Sequence, residues 1–161
     1  MKSIRIISGL LIILSFFIIV SCGDDKNTST DPESSVPPEL IATWTYQSAT
    51  INGDPIHLGF VLSWHSGTVS ARFTISADES FFYEELDSAG VVHWTESGTF
   101  TVDGNTATIT LTSNDDGPIE PPEVLSGTWA LNENENELTL TTTLEEAIIV
   151  LIATKENPGI F

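Results

Sequence analysis

Residues 92–112 read VHWTESGTFTVDGNTATITLT. Val92, Trp94, Gly98, Phe100 and Val102 share one side of an extended chain, and so do Ala107, Ile109 and Leu111. Alternation with a period of two is the mark of a half-buried strand, since successive side chains point to opposite faces. Asp103-Gly104-Asn105 separates the two runs. Asp-Gly tolerates the positive φ of a tight turn, so the stretch reads as a β-hairpin.

The same period continues outward in both directions. Trp44, Tyr46 and Ser48 alternate with polar residues, as do Val69, Ala71, Phe73 and Ile75, and later Leu125, Gly127, Trp129 and Leu131. Ile56, Leu58, Phe60, Leu62 and Trp64 alternate too, and with Gly59 among them they predict a strand rather than a helix. Ala147–Ala153 is apolar on both faces, as for a strand covered on both sides. Turn signals fall between the runs at Asn52-Gly53-Asp54-Pro55, Ser66-Gly67-Thr68, Asp87-Ser88-Ala89-Gly90 and Asn132-Glu133-Asn134-Glu135. The longest break is 113–123, SNDDGPIEPPE. Short strands, short turns and no crossover helix predict an all-β domain over 40–161, an antiparallel up-and-down meander of about 8–10 strands. An open meander exposes two edges, and closure into a barrel removes them. Residues 97–112 and 126–141 also share Ser-Gly-Thr and later Asn and Thr-Leu-Thr letters at one offset, as two hairpins meeting the same geometric demand do.

Ahead of this domain the chain changes character. Lys2 and Arg5 precede an apolar run from Ile6 to Val20. The run is shorter than the roughly 20 residues of a membrane-spanning helix, and its basic-then-apolar order is that of a secretory signal. It ends in Ile19-Val20-Ser21-Cys22, which resembles the lipobox of bacterial lipoproteins. The resemblance implies a signal peptide over 1–21, cleavage before Cys22, a diacylglycerol on the Cys22 thiol and acylation of the new amine. One acyl chain binds a membrane only marginally, whereas two or more anchor it stably. Cys22 is the single cysteine, so no disulfide can form within the chain. Residues 22–39 then read as the lipidated cysteine and a flexible acidic tether, too polar and too rich in Pro and Ser to fold, spanning about 20–25 Å as a coil. The acids that follow Cys22 resemble the surface-export signal of Bacteroidota lipoproteins. The expected address is the cell envelope, on the outer membrane and exposed at the surface.

Without residues 1–21 the chain holds Lys26, Arg72 and Lys155 against 23 acidic residues. That balance excludes nucleic acid, whose phosphates need Lys and Arg. It also opposes adsorption to anionic lipid, so a membrane is reached through the lipid on Cys22. A solvated acidic surface keeps such a protein soluble.

Several stretches of the domain resemble the lipocalin-like domains of small bacterial lipoproteins. They are Leu40-x-x-x-Trp44, Phe73-x-Ile75-x-x-Asp78, Phe81-Phe82-Tyr83, Gly98-Thr99-Phe100-x-Val102-x-Gly104-Asn105, Gly127-Thr128-Trp129 and a last strand ending in Lys155. The first strand has Ala42-Thr43-Trp44 where Gly-x-Trp is usual in lipocalins. The resemblance implies a barrel with an apolar interior open at one end. Trp44, Phe73, Phe82, Trp94, Phe100 and Trp129 are the expected inward aromatics, either packed core or the walls of a lipophilic pocket. Ile56–Trp64 is expected near the mouth. The function implied is binding of a small hydrophobic ligand. The alternative is a structural or protein-interaction module of the envelope with a filled barrel.

No reaction chemistry emerges beside this. His57, His65 and His93 lack the spacing of a zinc site. Asn114-Asp115-Asp116-Gly117 with Glu120 does not match a calcium loop and reads as an acidic turn. Glu84 and Glu85 are adjacent on a strand, so only one of them can enter a barrel to meet Glu96. No nucleophile or phosphate-cradling motif is present and no cofactor is implied. Asp87-Ser88-Ala89 resembles a short O-glycosylation motif of Bacteroidota.

Overall fold

The computed structural model describes residues 34–62, 64–144 and 146–157. The alternating runs form nine strands among these residues. They are β1 (Ala42–Ile51), β2 (Asp54–Ile56), β3 (Ser70–Ile75), β4 (Ser80–Leu86), β5 (Val92–Asp103), β6 (Thr106–Asn114), β7 (Gly117–Leu131), β8 (Glu137–Leu144) and β9 (Ala147–Lys155). From β3 onward each strand pairs antiparallel with the next, β1 pairs with β3, and β9 returns to β1. Eight strands therefore close a barrel, and β2 is an extra short strand on β1. Closure leaves no continuous free edge, as the meander required. Residues Pro32–Phe161 form one compact unit. Cys22, the signal segment and most of the tether lie outside the described residues.

Cross-strand register carries one apolar face around the barrel. Trp44 stands opposite Phe73, Phe73 opposite Tyr83, Phe81 opposite Gly98, Phe100 opposite Ile109 and Ile109 opposite Leu125. Trp129 then faces Leu140, and Leu140 faces Leu151. Opposed residues share a face, so all of these point inward. The predicted β5–β6 hairpin is present, with Asp103 opposite Thr106 across Gly104-Asn105. Gly98 has a steric role in it, because a Cβ there would overlap the Thr110 carbonyl oxygen. Asn52 and Gly53, both at positive φ, make the two-residue turn between β1 and β2.

Alternating strand direction gives the barrel two different ends. One is closed and filled: Leu40, Trp44, Phe73, Ile75, Phe100 and Leu138 are fully buried there. A 3₁₀ turn over Pro38–Leu40 seals it. The Trp44 indole N–H donates to the Leu40 carbonyl at 3.0 Å, and Lys155 Nζ donates to the Glu39 carbonyl at 3.0 Å. The same ammonium lies 5.4 Å from the Trp44 ring centre, a cation–π contact. The other end carries the β1–β3 connection and the β4–β5, β6–β7 and β8–β9 turns.

Four expectations change. Phe82 points outward: it faces Thr74 and Ser97 and is 41% exposed, while its neighbours Phe81 and Tyr83 are buried. A strand can place only alternate residues inside, so Phe81-Phe82-Tyr83 had to split. Leu58–Val61 is one helical turn, α1, not part of a strand. Its first turn is capped by His57, whose Nδ1 accepts from Gly59 N at 3.1 Å. The packed chain also begins before residue 40. Val36 is buried in the core, and Ser35 is tied to Glu79 and to the Val102 amide, so residues 34–39 are not free tether. Finally, β9 is not covered on both sides, since its outward Ile148 is half exposed.

Candidate functional site

Above the packed end the barrel holds a cavity of about 330 Å³. Its walls come from β1, β6, β7, β8, β9 and α1. Ile109, Leu125, Leu140, Ile149 and Leu151 supply most of the apolar lining, and Val61 of α1 and Leu62 just after it also line it. The Ile56–Trp64 segment thus meets the mouth as expected, although as a helical turn. A volume near the low end of ligand pockets suits a small molecule.

The cavity opens where two strands part. β7 pairs with β8 only from Thr128 to Leu131; Gly117, Pro118 and Glu123 to Gly127 pair with β6 alone, and 119–122 bulge out between them. Pro118, Pro121 and Pro122 lie in the first part of β7, ahead of the residues that stand level with β8. One hydrogen bond crosses the gap, from Thr142 Oγ1 to the Ser126 carbonyl at 2.7 Å. Val124, Leu125 and Leu144 remain exposed beside it. The outcome is a lateral apolar slot between β7 and β8.

None of the six aromatics singled out from the sequence lines this cavity. Trp44, Phe73 and Phe100 are fully buried in the closed half. Trp94 and Trp129 are inward and partly buried, opposite Glu85 and Leu140. Phe82 is outside. The lining is aliphatic and threonine-rich, with Tyr46 its single aromatic.

The opposite wall carries a polar cluster that the sequence pattern did not reveal. Glu85 is 1% exposed and faces inward beside Trp94, while Glu84 turns out to Arg72 at 2.7 Å. The Glu85 carboxylate accepts from the His65 amide at 2.9 Å, from the Thr68 hydroxyl and from the Tyr83 hydroxyl at 3.2 Å. The His65 ring lies 3.3 Å from the same carboxylate and stacks on Trp94 at 3.8 Å. A buried carboxylate needs such partners. Period two could have placed Glu85 inside, from its parity with Phe81 and Tyr83. No local signal places His65 and Thr68 there, because the β1–β3 connection brings them.

Glu96 is less well served. It faces inward opposite Tyr83, and its one side-chain donor is Trp94 Nε1 at 3.3 Å. Desolvation pushes its carboxyl above the usual range against that hydrogen bond, and the charges of Glu123 and Glu85 add to the rise. Burial, with the Glu96 charge nearby, likewise holds the Tyr46 phenol well above its ordinary range. Burial and Glu85 do the same for Tyr83. Among the described residues no three of His, Cys, Asp and Glu converge as a metal would require.

No curated protein matches the chain. Residues 40–120 match the family model for the lipocalin-like domain, half of the chain. The match begins at the residue that caps the closed end and runs through β1 to β6 into β7, and the remaining strands complete the same barrel. A closed eight-stranded antiparallel barrel with an apolar interior is the architecture of a small-ligand-binding fold. This chain belongs to the lipocalin-like domain family.

Proposed function

We propose that the protein is a lipoprotein of the bacterial envelope, held in the outer membrane by lipid on Cys22, whose barrel binds a small hydrophobic molecule without acting on it. The observation that supports the ligand is the apolar cavity behind the β7–β8 slot. The support for the anchor is Ile19-Val20-Ser21-Cys22 after a short apolar run.

Two experiments test these halves separately. A chain of residues 22–161 titrated with an apolar fluorescent probe should bind it, and Ile109→Trp, which fills the cavity, should abolish binding while the barrel stays folded. Equal binding by both proteins would overturn the assignment of the cavity. In cells, Cys22→Ser should release the protein from the detergent-extracted membrane fraction, and retention there would refute lipid anchoring.

The reading of the domain as a structural or protein-interaction module finds support in the dense closed half. Absence of any probe binding, with no ligand extracted from native protein, would favour it.

A further inference from the structure

Two leucines of the interior face stand open to solvent at the slot. Leu125 is opposite Ile109 on β6, and Leu144 is opposite Ala147 on β9, so both have inward parity. They are nevertheless 48% and 63% exposed, because β7 and β8 do not pair at this point. Exposed apolar surface that runs on into an apolar cavity marks a place where a ligand is taken up.

Thr142 supplies the polar group between them. It stands opposite Ile149 and shares the inward parity of Leu140. Thr142 and Ser126 both line the cavity, and the Thr142 hydroxyl donates to the Ser126 carbonyl at 2.7 Å across the gap. A ligand head lodged in the slot takes the place of this bond. To leave neither partner unmatched, it must accept from Thr142 Oγ1 and donate to the Ser126 carbonyl. A hydroxyl does both, whereas a carboxylate only accepts and an ammonium only donates.

Charge acts in the same direction. No Asp, Glu, His, Lys or Arg is among the described residues that line the cavity. Arg72 pairs with Glu84 on the outer wall, and Lys155 is held at the closed end by the Glu39 carbonyl. A charged head that leaves water therefore meets no counter-charge in the lining.

We propose that the cavity selects an uncharged amphiphile of the fatty-alcohol type. Its hydroxyl sits in the β7–β8 slot between Thr142 Oγ1 and the Ser126 carbonyl, and its chain lies among Ile109, Leu140, Ile149 and Leu151. This deepens the ligand-binding reading above and rests on it. Thr142 is the residue that distinguishes one head group from another.

The test compares three probes of one chain length on the 22–161 chain at neutral pH: octanol, octanoate and octylammonium, by calorimetry. Octanol should bind about tenfold or more tighter than either charged probe, since an unpaired charge costs more to desolvate than a hydroxyl that keeps its hydrogen bonds. Thr142→Val keeps the branched shape and removes the donor, and should weaken octanol about threefold to tenfold, the worth of one neutral hydrogen bond. Thr142→Ser retains the hydroxyl and should recover most of that affinity, which a loss through misfolding or altered shape would not do. Octanoate or octylammonium binding as tightly as octanol would overturn the uncharged class and leave the cavity reading standing. An octanol affinity unchanged by Thr142→Val would overturn the place given to the hydroxyl. Binding of none of the three would remove the cavity reading as well.

Discussion

Phe81 and Phe82 are neighbours in sequence and opposites in the barrel, which makes them a direct test of the β4 register. Phe81 is 4% exposed and stacks on Phe73 with ring centres 5.7 Å apart. Its truncation to Ala removes a ring from a filled end that cannot collapse around the hole. Such changes cost about 3–5 kcal/mol. Phe82 is 41% exposed on the outer wall. Its truncation loses only part of a transfer free energy of about 1.5–3 kcal/mol and leaves no cavity, so about 1–1.5 kcal/mol is expected. With a urea m-value of about 2 kcal/mol/M, the midpoint should fall by about 1.5–2.5 M for Phe81→Ala and by about 0.5–0.75 M for Phe82→Ala. Urea unfolding of the 22–161 chain, followed by tryptophan emission, reads both. A one-residue slip of β4 would exchange the faces of every residue on it. If Phe82→Ala proved as costly as Phe81→Ala, the register, and with it the inward placement of Glu85, would be refuted.

Three further outcomes are expected. Gly98→Ala drives a methyl into the Thr110 carbonyl and should destabilise by about 3 kcal/mol or more, visible as loss of cooperative thermal unfolding; near-native stability would contradict the close β5–β6 approach. Glu96 has a raised folded-state pKa, so its contribution to stability is greatest below its unfolded pKa and is lost as pH rises through the folded value. Glu96→Gln should therefore match the parent in Tm near pH 4 and exceed it at pH 7–8, and a gap independent of pH would show that Glu96 does not titrate in a desolvated wall. Lys155→Met removes the donor to the Glu39 carbonyl and the charge over Trp44, and should cost about 1–2 kcal/mol by urea unfolding, whereas no change would show that the ammonium does not hold the closing turn.

Much of the barrel is written in local pattern. Period two at Val69–Ile75, Val92–Val102 and Ala107–Leu111, with Asp-Gly and Asn-Gly turns between runs, specifies strands and hairpins from short-range geometry alone. Sequential hairpins with no crossover helix then leave closure as the way to bury both edges. The motifs around Trp44, Phe100 and Trp129 also pointed to the correct family. The tertiary structure decided the rest. Phe82 was indistinguishable from Phe81 in a run of three aromatics, because choosing the inward parity needs the partners Phe73 and Gly98. Leu58–Val61 carried a strand-like alternation, and His57 capping turned it into a helical turn over the cavity. Trp44, Phe73 and Phe100 filled the closed end, which the 3₁₀ turn and Lys155 seal, while Trp94 stacked on His65 beside Glu85. The cavity fell to aliphatic residues beside the stretch of β7 that does not pair with β8. Glu85 found its donors at His65 and Thr68, about 20 residues earlier in the chain, and Glu96 found few. Periodicity fixes which residues share a face. Where the cavity lies depends on how eight strands close, a contact between β1 and β9 that no local stretch encodes.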